Sequence, residues 1–255
     1  GHHRRQRQMC IRDRTDTLEN LLNDGQTAIS TAFSNARAED TDVKVVVSDG
    51  TGTIDAAKLS LITAKTTGTV TLQNAQTIQG TGDEVTAALI TDAVTLSAAS
   101  NATVTGNVTA EVAGNIANVT DITAAFSGTI TDTLANLADS GSISTNFSRA
   151  RGDDTDVKVV VSDGTGTLSA ADLAAITAKT TGTVTLQNAQ TVSGTGDEVT
   201  AALITDAVTL SAASNATVTG NVTAEVAGNI ANVTDITAAF SGTITDTLAN
   251  LADSG

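Results

Sequence analysis

Apolar residues recur two apart along several short stretches of the chain. Val43, Val45 and Val47 do so, as do Val70 and Leu72, and Val94 and Leu96. Period two with β-branched side chains predicts strands, because successive side chains of a strand point to opposite faces. Elsewhere the period changes. Val85 and Leu89, and Val112 and Ile116, stand four apart, while Leu134 and Leu137, and Leu173 and Ile176, stand three apart. That spacing predicts one or two helical turns with one buried edge. Ser169 followed by Asp172 has the form of a capping box, and Asp83 and Glu84 stand where a helix start favours anions. Helices so short barely hold alone, since an isolated helix below about 12–15 residues is marginal in water. Each must bury its apolar edge on a neighbouring segment.

The pattern recurs because the sequence does. "TGDEVTAALITDAVTL" occupies residues 81–96 and again 195–210. Residues 42–141 and 156–255 align at an offset of 114 and differ at seven of 100 positions. The differences are Ile54/Leu168, Asp55/Ser169, Lys58/Asp172, Ser60/Ala174, Leu61/Ala175, Ile78/Val192 and Gln79/Ser193. The stretch "TDTLENLLNDGQTAISTAFSNARAED" resembles the later "TDTLANLADSGSISTNFSRARGDD", with two extra residues in the earlier one. Within each long repeat, four segments share a strand-like run, a glycine and a short amphipathic turn. Their glycines, Gly166, Gly194, Gly220 and Gly242, lie 28, 26 and 22 apart.

These spacings predict a repeat solenoid: a β-solenoid, parallel β-helix-like, with short helical turns in each rung of about 22–28 residues. The organisation expected is a leader at 1–14, the end of a preceding repeat at 15–41, one long repeat with its junction at 42–155, and a second, truncated repeat at 156–255. Without an atypical terminal unit, the chain reads as a piece of a longer array. Asn74 and Asn101 precede their glycines by six and five residues, which predicts equivalent turns with stacked side-chain amides.

Composition separates the leader from the rest. "GHHRRQRQMCIRDR" holds both histidines, the only cysteine, the only methionine and five of the thirteen basic residues. No apolar core follows it, so it is not a secretion signal. It is set apart as a disordered segment outside the fold. Residues 15–255 keep the other 8 basic and 27 of the 28 acidic residues, a net charge of −19. They contain no Pro, Trp or Tyr, and four phenylalanines in matching places: Phe33 with Phe147, and Phe126 with Phe240. The recurrent Val, Ile and Leu oppose disorder, and Ala, Val, Thr, Ile and Leu suit a thin core.

The acidity argues against nucleic acid, because phosphate contacts need clustered Lys or Arg. No apolar run approaches the roughly 18 residues of a membrane span. Outside the leader there is no His or Cys, which removes Ser-His-Asp, Cys-His and His-ligated zinc chemistry. Paired carboxylates remain for glycoside hydrolysis, though the aromatic platforms usual for sugars are absent. The candidate metal ligands are the acidic junctions: Glu39, Asp40 and Asp42, matched by Asp153, Asp154 and Asp156, with Asp49 and Asp163 following. Calcium takes six to eight oxygens, and carboxylates clustered in a turn supply several. The competing reading is a solvated acidic turn that keeps the array soluble. "RGD" at residues 151–153 has no counterpart in the other copy, where Arg37, Ala38 and Glu39 stand.

Runs such as "VVVSDGTGTLSAADLAAIT" and "NATVTGNVTAEVAGNI" resemble the tandem repeats of very large secreted bacterial surface proteins, notably marine cyanobacterial ones of hemolysin-type or calcium-binding description. "RQMCIRDR" resembles translated sequencing-adapter read-through from metagenomic assemblies. The calcium nonapeptide GGxGxDxUx of that group does not occur in the chain. The resemblance implies a scaffold, not a catalyst. The reading is a structural spacer or adhesive scaffold segment of a large extracellular or cell-surface protein. The alternatives are a calcium-dependent adhesin module and, further off, a carbohydrate-active enzyme. Expected partners are neighbouring repeats of the same chain and cell-surface or matrix components, with no nucleic acid and no membrane span.

Overall fold

The structure, a computed structural model, describes residues 13–92 and 94–252. Most of the leader lies outside these residues. Asp13 and Arg14 belong to the first strand, Asp13–Asp16. Two compact units are formed. The first runs to Asn107 and takes in Asn115–Gly128; the second takes Val108–Gly114 and continues from Thr129.

The first unit contains two parallel four-stranded sheets. One, the short-strand sheet, orders Asp13–Asp16, Lys44–Val47, Val70–Leu72 and Thr95–Leu96, with Asp16 opposite Val47, Val47 opposite Leu72, and Leu72 opposite Leu96. The other, the long-strand sheet, orders Gly52–Asp55, Gln76–Thr81, Ser100–Thr105 and Ile122–Phe126. The second unit repeats both. Thr129–Asp132, Lys158–Val161, Val184–Leu186 and Thr209–Leu210 form its short-strand sheet. Gly166–Ser169, Gln190–Thr195, Ser214–Thr219 and Ile236–Phe240 form its long-strand sheet. A fifth sheet, in the second unit, is a two-stranded antiparallel pair, Ala138–Asp139 with Ser142–Ile143.

Alternation explains which side faces the core. Ile54, Ile78, Ala102 and Val104 are buried, while Thr53, Asn101 and Thr123 point outward and are exposed. The helices start where short polar side chains satisfy free N–H groups. Asp55 accepts the Lys58 N–H at 3.2 Å and opens Ala56–Thr63. Thr81 and Glu84 form a full capping box, at 3.4 and 2.7 Å, and open Gly82–Thr86, which continues as a π-helical turn, Ala87–Thr91. The same box recurs at Thr195 and Glu198. At Ser169 only half of the expected box forms. The hydroxyl accepts the Asp172 N–H, but the Asp172 carboxylate turns instead to Gly141.

The expected parallel β-helix is corrected by this arrangement. Among the described residues the fold is α/β: five mostly parallel sheets, none wider than four strands, interleaved with helices. Ala56–Thr63, Ala110–Ala117 and Thr31–Glu39 run eight, eight and nine residues, about two helical turns each, and alternate along the chain with the strands. The glycine spacing also misleads. Gly52 pairs with Gln76 and Gly80 with Val104, so successive glycines of the long-strand sheet are not equivalent. Paired residues in that sheet are 24, 24 and 22 apart.

Each unit buries the same large side chain in an equivalent position. Phe33 and Phe147 are fully buried, each three residues after a serine, Ser30 or Ser144, whose hydroxyl accepts its N–H at 3.2 Å.

Candidate functional site

The acidic junctions lie at the ends of two equivalent helices. Glu39 closes Thr31–Glu39, with Asp40 as its cap and Asp42 exposed beyond; Asp153 closes Thr145–Asp153, with Asp154 and Asp156 in the same places. The Asp42 N–H donates to Asp40 Oδ1 at 3.3 Å. The carbonyls between the acids are already taken. Thr41 O accepts the Thr67 N–H at 3.0 Å, and Val43 O accepts the Thr66 hydroxyl at 2.6 Å. Thr155 O and Val157 O are held likewise by Thr181 and Thr180. Gly68 and Gly182 let that covering turn approach, since a Cβ on either would overlap the Asp42 or Asp156 carbonyl. Among the described residues no group of three or more His, Cys, Asp or Glu is gathered to hold a metal ion.

Other carboxylates perform a task that the sequence reading did not assign. Asp163 Oδ2 accepts the Leu134 N–H at 2.6 Å, and Asp49 Oδ2 accepts the Leu18 N–H at 2.7 Å. Each closes the start of a helix about 30 residues earlier in the chain. Asp132 Oδ2 accepts the Ala110 N–H and Asp246 Oδ2 the Ala224 N–H, both at 3.0 Å. Their other oxygens bond the following threonine N–H and the side-chain amide four residues on: Thr133 and Asn136 for Asp132, Thr247 and Asn250 for Asp246. The Asn250 amide first, then the Thr247 and Ala224 N–H groups, hold the Asp246 carboxyl below the ordinary aspartate range. Its contribution is therefore present at neutral pH and is lost as pH falls through that lowered value. The signal in the sequence was the word "TDTLxN", present three times.

A second polar seam runs under the turns. Asn74 and Gln76 donate to the Asp49 carbonyl, and Gln76 also to Gly50 O at 2.8 Å. The Gln76 N–H donates to the buried Ser100 hydroxyl at 3.1 Å. Asn188, Gln190 and Ser214 repeat the arrangement. The expected Asn74–Asn101 equivalence is corrected: Asn101 lies within Ser100–Thr105, opposite Thr77, with its side chain outward.

The seven differences between the copies fall on one helix and on two strands that pair with each other. Ile54 pairs with Ile78 and Asp55 with Gln79, while Lys58, Ser60 and Leu61 lie on the helix between. Asp55, Gln79 and Glu84 line an open groove of about 420 Å³. Its two carboxylates both hold N–H groups, of Lys58 and Thr81. The "RGD" tripeptide closes a helix, and its arginine donates to Lys179 O at 2.7 Å, as Arg37 does to Lys65 O. No helix among the described residues is long and apolar enough to cross a membrane. No protein-family model, no curated protein and no solved structure matches this chain.

Proposed function

We propose that the chain is a structural spacer or adhesive scaffold segment of a large extracellular or cell-surface bacterial protein, with neighbouring repeats and surface or matrix components as its partners. The observation that carries the reading is the employment of the carboxylates. Asp49, Asp132, Asp163 and Asp246 bond backbone N–H groups at helix starts, and they do so in matched positions of both copies. Acid–base catalysis needs a carboxylate placed against a substrate proton, whereas these are placed against the chain itself. Duplicating an arrangement almost letter for letter multiplies length and outward surface; one copy would suffice for a reaction.

Pulling the full chain between two tethers tests this reading. A load-bearing scaffold gives discrete unfolding steps, with a contour gain of about 40 nm for the 114 residues of 42–155 and about 36 nm for the 100 residues of 156–255, at roughly 3.6 Å per residue. Extension without resolvable steps, or release of sugar from polysaccharides by the same preparation, would overturn it.

A further inference from the structure

We propose that the groove lined by Thr53, Asp55, Gln79, Glu84 and Thr105 binds a unit of a neutral saccharide through the hydroxyl groups of the sugar. The inference rests on the adhesive part of the scaffold reading and names the chemistry of its matrix partner. The stepwise unfolding that tests the scaffold itself does not depend on it.

The groove lies in the first unit and crosses three parallel strands. Asp55 stands opposite Gln79, and Thr81 opposite Thr105. Paired residues of adjacent strands lie about 4.8 Å apart, side by side on one face. Thr53 shares that face with Asp55, two residues on, and both are exposed with Gln79. Glu84 enters from the helix Gly82–Thr86, and Ala57 and Gly80 complete the lining with little bulk. A Cβ on Gly80 would stand 2.9 Å from Glu84 Oε2 and 2.9 Å from Ala56 Cβ, so the glycine keeps room for the carboxylate. The volume of about 420 Å³ falls within the roughly 300–1,000 Å³ of small-molecule sites.

The polar groups are fixed but only half used. Asp55 Oδ1 accepts the Lys58 N–H at 3.2 Å, and Glu84 Oε2 accepts the Thr81 N–H at 2.7 Å. Each bond orients a carboxylate and leaves its second oxygen for a ligand. Among the described residues, Asp55 Oδ2, Glu84 Oε1, the Gln79 amide and the Thr53 and Thr105 hydroxyls have no hydrogen-bond partner. Groups held in place beforehand lose little freedom on binding.

That set of groups selects the ligand. Carboxylates only accept, while an amide and hydroxyls both donate and accept; sugar hydroxyls answer all of them. Both carboxylates sit at helix starts, where they already balance the positive end of the dipole, which weakens their pull on a cation. An acidic sugar meets two carboxylates in a chain of net charge −15. A neutral saccharide meets neither obstacle.

The comparison of the copies points to the same place. They differ at seven aligned positions, and two of these line the groove: Ser169 stands for Asp55 and Ser193 for Gln79. Ile54 and Ile78 lie beside them on the same strands, and Lys58, Ser60 and Leu61 on the helix that Asp55 opens. The remaining lining recurs unchanged as Thr167, Ala171, Gly194, Glu198 and Thr219. One chain therefore carries these positions once with the aspartate and the amide, and once without them.

Native electrophoresis of the full chain through gels containing a neutral glucan, galactomannan or xylan tests the proposal, with polygalacturonate as the acidic control. At least one neutral gel retards the parent chain. Asp55→Ser/Gln79→Ser reduces that retardation at least about tenfold, the loss expected when a hydrogen bond to a charged group is removed. Ser169→Asp/Ser193→Gln roughly doubles it by adding a second site. Each variant places residues that the other copy already holds there, and Ser169 shows that a serine keeps the helix cap. No retardation in any neutral gel, retardation by polygalacturonate alone, or equal retardation of the parent and Asp55→Ser/Gln79→Ser overturns the proposal.

Discussion

The two junctions, residues 22–29 and 138–143, do the same task by different means. Both bring the chain back antiparallel, pairing Leu22 with Ile29 and Ala138 with Ile143, and both then cap a helix with a serine. The first uses a six-residue loop organised from within: Asn23 Oδ1 accepts the Thr27 and Ala28 N–H groups at 2.9 and 3.2 Å. The second turns in two residues, Ser140 and Gly141, with φ of 53° and 74°, the left-handed pair that suits a tight hairpin. That turn leaves the Gly141 N–H to be satisfied from elsewhere, and Asp172 Oδ1 accepts it at 2.6 Å. In the first copy the corresponding residue is Lys58. The Lys/Asp difference thus belongs with the difference in junction length, six residues between Leu22 and Ile29 against four between Ala138 and Ile143, although 31 positions separate Gly141 from Asp172. Copies that differ at few positions still differ in linked ways.

The largest expected effect probes what the junctions share. Phe33→Ala and Phe147→Ala each cost about 3–5 kcal/mol, because both rings are fully buried. Urea unfolding should give equal losses; a loss at only one would break the equivalence. Next comes the linked pair. Asp172→Ala costs roughly 1.5 kcal/mol, at the low end for a hydrogen bond to a charged group, while Lys58→Ala stays within about 0.5 kcal/mol. The smallest effect separates the turns. Gly141→Ala costs roughly 1 kcal/mol because its φ is left-handed. Gly25→Ala, with no contact nearer than 3.7 Å for the added carbon, stays within about 0.5 kcal/mol by the same measurement.

Much of the local structure was legible in the sequence, and the fold class was not. Val45, Val47, Val70 and Leu72 announce strands because burial of alternate residues forces period two, and Lys44–Val47 and Val70–Leu72 are those strands. Val85 with Leu89 marks a helical edge, and both are buried. Asp55 starts Ala56–Thr63, and Ala, Leu and Ile sustain it over about two turns; what periodicity does not carry is how strands distant in the chain pair into five separate sheets. Pairwise contacts across the chain were also invisible. The acids grouped by sequence, Glu39, Asp40 and Asp42, are neighbours along the backbone, whereas Asp163 meets Leu134 only through folding, 29 positions away.

The central claim is that aspartates of this chain act as clamps on backbone N–H groups of preceding segments. Residue-resolved hydrogen exchange on Asp163→Ala compared with the parent chain tests it most directly. The account predicts that the Leu134 N–H exchanges at least about tenfold faster, the loss of a charge-assisted hydrogen bond, while Leu18, held by Asp49, is unchanged. Unchanged protection at Leu134, or equal loss at Leu134 and Leu18, would contradict it.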